Sequence, residues 1–209
     1  VLPEADVLCA VVTADGPVDQ SGKGYTLTSS KKPTVTEYKD TYGLSFNGKS
    51  FYNVNGFDKA YTSLEKSLTF EIVCRIVDTS TYQCVCSSLQ GGGFGIDINA
   101  GKISMKVVVG GTFVSASTKL SAGLYHITGV WDGTSVKLYV NGSLAAATDK
   151  TGKMQLPENN GSRYLCIGGD SGPGGKSEYL FKGEIYSVRV YSSVLTDEEI
   201  AQVYTDHMI

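Results

Sequence analysis

Hydrophobic and polar side chains alternate along much of this chain, and the clearest case is the stretch from Leu68 to Val77. Because successive side chains of a β-strand point to opposite faces of its sheet, this alternation predicts a strand with one buried row. One register fixes every side chain of such a strand, so we expect Glu71 and Arg75 to be exposed. The row that we expect to be buried contains Phe70, Ile72, Cys74 and Ile76.

Asp-Gly and Asn-Gly pairs separate the alternating segments. Six such pairs occur, and each supplies residues that tolerate the positive φ of a two-residue hairpin turn. Residues 95–99 and 136–140 alternate in the same way, and a count of similar segments gives about a dozen strands. One sheet seldom holds so many strands without curling, so we expect two stacked sheets or a barrel.

One helix is predicted, near the end of the chain. Thr196 and Glu199 have the spacing of a capping box, in which the two side chains accept hydrogen bonds from backbone N–H groups at a helix start. Ile200, Val203 and Tyr204 then form an apolar stripe at helical spacing. No linker or internal repeat divides the sequence, so we expect residues 1–209 to form a single domain.

The composition favours short strands joined by tight turns. The 209 residues include 25 glycines and 13 tyrosines, whereas only 19% are charged. A net charge of −3 provides no basic surface for nucleic acid, and no run of about 18 apolar residues would allow membrane insertion. The chain begins at Val1 without a recognisable signal sequence, so either a signal was removed or the chain is a piece of a longer protein. We favour the second and expect a segment of a longer secreted or cell-surface protein.

Five cysteines give an odd number, which argues against a complete disulfide framework. Four of them lie in strand-like runs, where a free cysteine behaves as a small buried hydrophobic residue. We therefore expect all five to be reduced. The alternative is one Cys74–Cys84 bridge across a hairpin.

Three ordered stretches carry a recognisable pattern. The most specific is G-L-Y-H-I-T-G-V-W-D-G at residues 123–133, followed by V-K-L-Y-V-N-G at residues 136–142. The others are residues 43–48 with 67–72, and residues 165–169 with 181–191 and 195–200. Together they resemble the laminin-G-like family of concanavalin-type domains over about residues 43–204. The sequence departs from the family pattern at Leu124, Tyr125 and Gly129.

The resemblance implies an all-β fold: a two-sheet antiparallel jelly-roll sandwich with one short C-terminal helix. It specifies no ligand, because the functional residues of this family lie in variable loops. Relatives often hold a calcium ion at the edge of the sandwich, and Asp15 and Asp19 are candidate ligands for such an ion here. An aspartate beside a glycine, as at Asp15, is equally typical of an ordinary turn.

The sequence offers little for catalysis. It contains two histidines, no Gly-x-Ser-x-Gly motif and no Glu-x-Asp-x-x-Glu run of the kind that places two carboxylates in sandwich glycanases. The glycine-rich residues 169–177 lack the spacing and the following helix of a phosphate-binding loop, so they are interpreted as a hairpin loop. We expect no enzymatic activity, and we expect His126 to order neighbouring strands.

Ligand contacts are expected from outward-facing residues. Arg75 and Asp97 face away from the buried rows of their own strands, and Tyr82 begins a strand near Arg75. An outward arginine beside an aromatic ring could hold a carboxylated sugar. Asp170, in the glycine-rich loop, is a further candidate. An ordinary solvated surface would explain all four residues equally well.

These observations favour a non-catalytic binding module, for carbohydrate, attached to a larger secreted or cell-surface enzyme such as a glycoside hydrolase or phosphoesterase. One alternative is a structural or protein-interaction module that braces a neighbouring domain, and a third possibility is a sandwich hydrolase. A carbohydrate binder should have exposed aromatic side chains on a concave face, and a brace should have an apolar patch beside its termini. A hydrolase needs two carboxylates about 5–10 Å apart in a cleft.

Overall fold

Eighteen β-strands and two short α-helices build the fold of the computed structural model, which describes all residues from 1 to 209. The first nine strands are β1 Leu8–Thr13, β2 Gly16–Asp19, β3 Thr26–Thr28, β4 Thr34–Tyr38, β5 Thr41–Asn47, β6 Tyr52–Asn55, β7 Leu68–Ile76, β8 Gln83–Ser88 and β9 Phe94–Asn99. The other nine are β10 Lys102–Val109, β11 Thr112–Lys119, β12 Gly123–Trp131, β13 Ser135–Val140, β14 Ser143–Asp149, β15 Leu165–Ile167, β16 Asp170–Ser171, β17 Ser177–Glu178 and β18 Lys182–Tyr191. The helices are α1 Tyr61–Leu64 and α2 Asp197–His207.

Two antiparallel sheets contain all but two of the strands. The nine-stranded sheet has the order β14-β13-β12-β7-β18-β1-β2, and β5 pairs with both β18 and β4. The seven-stranded sheet has the order β11-β10-β9-β8-β15-β6-β3, and β16 pairs with β17 in a separate ribbon. The predicted two-sheet antiparallel sandwich is therefore confirmed. The strands outnumber the prediction because some, such as β3 and β16, have only three or two residues.

The core lies between the two sheets and contains 38 buried apolar residues. Phe70 of β7 and Phe94 of β9 meet edge to face across it, with ring centroids 5.0 Å apart. Gly129 of β12 faces Met105 of β10, and a Cβ atom at residue 129 would lie 2.2 Å from the Met105 sulfur. This close approach between the sheets explains why glycine replaces a larger residue of the family pattern at this position.

Strand β7 confirms one half of its predicted pattern and contradicts the other. The expected exposure of Glu71 is wrong, because its side chain is fully buried, and Arg75 is half-buried. Both residues point away from the core, but other elements cover the outer face of this central strand. The buried row contains, as predicted, Phe70, Ile72, Cys74 and Ile76.

Helix α2 confirms the predicted C-terminal helix and its cap. The Glu199 N–H donates to Thr196 Oγ at 3.2 Å, and the Thr196 N–H donates to the Glu199 carboxylate at 2.8 Å. These two bonds form the expected capping box. Ile200 and Val203 are buried, so the predicted apolar stripe attaches the helix to the sandwich.

Both ends of the chain lie on the outer face of the nine-stranded sheet. Leu2 and Ala5 pack against a small apolar cluster that helix α2 shares with outward-facing residues of this sheet. The cluster consists of Val130, Tyr139, Tyr191, Leu195, Ile200 and Val203.

Helix α1 is not among the predicted elements. It follows a 3₁₀ turn at Phe57–Ala60, and the apolar side chains of both pieces are buried. Phe57, Ala60, Tyr61 and Leu64 have the spacing of a helix face, but the pattern ends after about two turns. Neither α1 nor α2 has the length and apolar content that a helix needs to cross a lipid bilayer.

The five cysteines are unpaired. Cys74 lies on β7 of the nine-stranded sheet, whereas Cys84 lies on β8 of the seven-stranded sheet. Strands β7 and β8 do not form a hairpin, so the alternative of a bridge between them is wrong. Cys9 is half-buried and the other four cysteines are buried.

Candidate ligand-binding cleft

A cleft of about 440 Å³ opens on the outer face of the seven-stranded sheet. Along β10, Met105 and Val107 enter the core, so Lys106 between them points outward. Phe113 of β11 points outward for the same reason, because its neighbour Val114 belongs to the core. The cleft is lined by Tyr82, Leu89, Gln90, Gly91, Lys106, Phe113, Glu158, Asp170, Glu178 and Tyr179.

Three aromatic side chains are partly exposed in this cleft. The exposed fractions are 36% for Tyr82, 51% for Tyr179 and 52% for Phe113. The rings of Tyr82 and Tyr179 meet edge to face, with centroids 4.8 Å apart. Tyr179 has a φ of 49°, an uncommon value for a residue with a side chain, and its carbonyl accepts a hydrogen bond from the Cys84 N–H at 2.8 Å. That bond fixes the turn carrying Tyr179 to strand β8.

An ion pair beside the aromatic rings joins Asp97 of β9 to Lys106 of β10. The Asp97 side chain is only 1% exposed, and burial raises its pKa, while the hydrogen bond from Lys106 partly offsets that increase. The Lys106 ammonium also lies 5.6 Å from the centroid of the Tyr82 ring. Asp97 therefore faces away from the core, as the alternation of β9 predicts, but it is buried beneath the cleft.

Asp170 fixes the β16–β17 ribbon to the outer face of the same sheet. Its Oδ1 atom accepts hydrogen bonds from Ser87 Oγ at 2.7 Å and from the Leu89 N–H at 2.8 Å. The residue is 5% exposed, and burial raises the pKa of its carboxyl group although these hydrogen bonds lower it. The predicted hairpin in this segment is confirmed, but Asp170 begins a strand and its side chain is buried beneath the loop.

A run of three glycines positions the acidic rim of the cleft. The Gly93 N–H donates to the Gln155 carbonyl at 2.7 Å, and the Glu158 N–H donates to the Gln90 carbonyl at 3.0 Å. A Cβ atom at Gly92 would lie 2.1 Å from the Leu156 carbonyl oxygen. Only glycine allows residues 155–158 to pack this closely, and this packing places Glu158 at the cleft.

The structure brings together three of the four predicted ligand residues. Tyr82 and Asp170 line the cleft and Asp97 lies beneath it, whereas Arg75 lies on the outer face of the other sheet. Arg75 Nε is 3.0 Å from Glu184 Oε2, and its guanidinium group is 4.9 Å from the centroid of the Tyr38 ring. The expected arrangement of Arg75 beside Tyr82 is therefore wrong, because the two residues belong to opposite faces of the sandwich.

Five residues of the cleft lining that shape its chemistry were absent from the prediction. Lys106 and Phe113 occupy outward positions of alternating strands, so the same reasoning that identified Asp97 could have found them. Glu158, Glu178 and Tyr179 come from segments that are distant in sequence from β8 to β10. Their local sequence carries no signal that they approach this face.

The two predicted calcium ligands are engaged in turn geometry. Asp15 is exposed in the turn between β1 and β2, where its N–H donates to Thr13 Oγ at 3.2 Å. Asp19 Oδ1 accepts hydrogen bonds from the Cys9 and Ser21 N–H groups, both at 3.0 Å, and Oδ2 accepts one from Ser21 Oγ at 2.8 Å. Calcium needs about six to eight oxygen ligands that converge, and these carboxylates do not fit that requirement. Calcium binding stays a prediction.

A second polar cluster lies under helix α2, on the face of the sandwich opposite the cleft. Glu71 Oε1 lies 3.0 Å from His126 Nε2 and 2.6 Å from His207 Nδ1, and Oε2 accepts a hydrogen bond from the Tyr191 hydroxyl at 2.8 Å. Arg189 Nη1 lies 3.5 Å from Oε1. Burial raises the pKa of Glu71, but the hydrogen bonds from His126 and His207 outweigh burial and lower the pKa to about 2. The ionised carboxylate therefore anchors the helix to the sheet.

The same cluster has the donor types of a metal site. One ligand atom from each of Glu71, His126 and His207 lies within 4.8 Å of the other two, and zinc binds both imidazole and carboxylate. Arg189 beside the carboxylate would repel a second cation. A metal-bound histidine usually hydrogen-bonds through its other ring nitrogen, but Nδ1 of His126 is buried without a partner. The cluster fits a structural anchor better than a metal centre, in keeping with the ordering role expected for His126.

A family model described as the concanavalin A-like lectin/glucanases superfamily matches residues 47–201. The chain belongs to this superfamily. The match covers most of the stretch whose motifs resemble laminin-G-like domains, and it includes the three converging residues Tyr82, Asp97 and Asp170. No curated protein sequence matches the chain.

Solved structures with a similar fold include several toxin domains. The binding domain of Paraclostridial Mosquitocidal Protein 1 has a TM-score of 0.75 and 14% identity, covering 96% of this chain and 52% of that one. The binding domain of Botulinum Neurotoxin DC in complex with SialylT has a TM-score of 0.73 and 11% identity, covering 97% of this chain and 52% of that one. The binding domain of Botulinum neurotoxin serotype D has a TM-score of 0.72 and 17% identity, covering 97% of this chain and 51% of that one. This chain spans about half the length of these structures, and at such low identities the similarity concerns the fold.

Proposed function

We propose that the chain is a non-catalytic carbohydrate-binding module whose ligand enters the cleft on the seven-stranded sheet. The supporting observation is the group of three partly exposed aromatic side chains, Tyr82, Phe113 and Tyr179, around one polar cavity. Ligand sites combine aromatic surface with a few polar groups that set orientation. The apolar face of a sugar ring can pack on these rings, while its hydroxyl groups bond to Gln90 and Glu178.

Relatives of the same fold support binding as the role. The structures named above are described as binding domains, and one of them was solved in complex with SialylT. By analogy, we propose that this chain acts within a longer secreted or cell-surface protein. Its partners would be a glycan and a neighbouring catalytic domain, such as a glycoside hydrolase or phosphoesterase.

The carboxylates of the cleft bear on the third hypothesis, a hydrolase. The sequence contains no motif that pairs two carboxylates on one strand, yet the fold brings carboxylates from separate segments to one cavity. Asp97 is paired with Lys106 and Asp170 holds the ribbon, which leaves Glu158 and Glu178 at the rim. We propose that these two accept hydrogen bonds from sugar hydroxyl groups. Turnover of a glycoside, ester or phosphate that disappears in Glu178→Gln would contradict the non-catalytic role.

The bracing alternative receives less support from the surface beside the chain ends. A brace should present an apolar patch there. The cavity at that place, of about 640 Å³, has only four hydrophobic residues among the twelve that line it. Its charged lining residues include Glu4, Lys23 and Arg189.

A glycan array probed with wild type and variants tests the proposal. Tyr82→Ala and Tyr179→Ala should each abolish most of the binding, because each removes aromatic surface from the cleft. Leu144→Ala is the control, since Leu144 is 52% exposed on β14 of the other sheet. Binding that survives both tyrosine substitutions would place the ligand elsewhere, and a silent array would favour the bracing module.

A further inference from the structure

We propose that the cleft selects uncharged sugar residues and excludes those that carry a carboxylate or sulfate, an inference that rests on the proposed carbohydrate-binding function. Three carboxylates line the cleft, those of Glu158, Asp170 and Glu178. The only cationic side chain in the lining is that of Lys106. The cleft is therefore rich in hydrogen-bond acceptors of negative charge.

Lys106 already has an anionic partner. Its ammonium group is already paired with Asp97, whose side chain is 1% exposed. A ligand carboxylate that drew Lys106 away would leave Asp97 as a buried charge without a partner, which is strongly unfavourable. The position of Lys106 over the Tyr82 ring adds a second interaction that such a ligand would have to break.

An uncharged sugar matches the same set of groups. Carboxylates are acceptors only, and sugar hydroxyl groups can donate to them, so Glu158 and Glu178 suit a polyhydroxylated ligand. The rings of Tyr82, Tyr179 and Phe113 supply the apolar surface on the same cavity. An uncharged sugar therefore offers donor groups to the carboxylates at the rim and brings no further anion into the site.

An anionic sugar in the cleft would lie close to carboxylates of the same charge. The negative charge of such a sugar and the carboxylates of the cleft repel each other, and salt screens this repulsion where the carboxylates are exposed. Allowing for that screening, we expect an acidic sugar to bind at least about tenfold more weakly than its uncharged counterpart. This preference for uncharged sugars is the opposite of the one expected if Arg75 lay exposed beside Tyr82, where it could hold a carboxylated sugar.

The test uses pairs of oligosaccharides that differ only in charge at the terminal residue. A galactose-terminated glycan is compared with its galacturonate-terminated form, and a glucose-terminated glycan with its glucuronate-terminated form, by calorimetric titration of the whole chain. In wild type the uncharged member of each pair should bind at least about tenfold tighter. In the double variant Glu158→Gln with Glu178→Gln that ratio should fall severalfold, because the amides keep hydrogen-bonding groups but lose the charge.

Glu37→Gln is the matched control, since Glu37 is exposed on β4 of the other sheet and should leave the ratio unchanged. Equal or tighter binding of the acidic members, lost in Tyr82→Ala, would overturn the charge preference and leave the carbohydrate-binding function intact. A chain that binds no member of either pair, and no glycan on the array, would overturn both proposals.

Discussion

Substituting glutamine for Glu71 should destabilise the fold, because it removes the negative charge at the centre of the anchor under helix α2. The pKa of this carboxyl group is lowered from 4.5 to about 2. A tenfold change in proton affinity corresponds to about 1.4 kcal/mol, so the folded protein stabilises the ionised carboxylate by about 3 kcal/mol. Removing one partner of a buried ion pair costs about 3–5 kcal/mol, so we expect Glu71→Gln to lower the free energy of unfolding by about 3 kcal/mol at pH 7.

The pH dependence of this loss follows from the same pKa. The pKa is lower in the folded than in the unfolded protein, so the contribution is complete above about pH 5 and is lost as the pH falls towards about 2. The difference between wild type and Glu71→Gln should therefore shrink from about 3 kcal/mol at pH 7 towards zero near pH 2. Other carboxyl groups cancel in that difference, including Asp132, where burial raises the pKa but hydrogen bonds from Thr134 and Ser135 lower it to about 2.

Urea unfolding at several pH values between about 2 and 7 measures this difference. Trp131 is the only tryptophan and is fully buried, so its fluorescence reports unfolding of the core. Glu37→Gln makes the same chemical change at an exposed position and should stay within about 0.5 kcal/mol of wild type. A gap between wild type and Glu71→Gln that does not change with pH would refute the ionic anchor and indicate a packing effect alone.

Three further predictions concern single residues. Thr196→Ala should lower the free energy of unfolding by about 1 kcal/mol, seen as a lower urea midpoint, because the Glu199 N–H loses its acceptor. Thr128→Val should leave the free energy of unfolding unchanged or raise it by about 1 kcal/mol, because the buried Thr128 hydroxyl has no hydrogen-bond partner. A clearly lower free energy of unfolding in the same assay would mean that the hydroxyl is paired. Gly92→Ala should displace residues 155–158, because the new Cβ atom would lie 2.1 Å from the Leu156 carbonyl oxygen. Faster amide exchange of residues 155–158 together with weaker glycan binding would confirm the displacement, and unchanged exchange would contradict it.

The fold was accessible from the sequence because its main signals are local. Alternation placed Phe70 and Ile72 in the core, and the capping box placed the start of α2 at Thr196. The burial of Glu71 was not accessible in the same way. It depends on His207, which lies 136 residues further along the chain, and no pattern within β7 reports which element covers its outer face.

Local sequence likewise reveals some residues of the candidate site and not others. Asp97 is identifiable because the register of β9 is readable from alternation, whereas Tyr82 stands out in the sequence only as an aromatic residue near Arg75, and it lies just before β8. Their true neighbours, Glu158 and Tyr179, reach the cleft through tertiary packing of two later segments. The neighbour expected for Tyr82 was Arg75, which is close in sequence but lies on the other sheet. Sequence proximity is a poor guide where the chain crosses between the layers of a sandwich.

The location of both chain ends has a practical consequence for any study of binding. Leu2 and helix α2 lie on the outer face of the nine-stranded sheet, whereas the aromatic cleft opens on the outer face of the seven-stranded sheet. An affinity tag, a fluorophore or a biotin linker joined at either terminus would leave from the side away from the cleft. Immobilising the protein through such a group on a sensor surface should orient the cleft towards the solution, so that all molecules present the same face to a glycan.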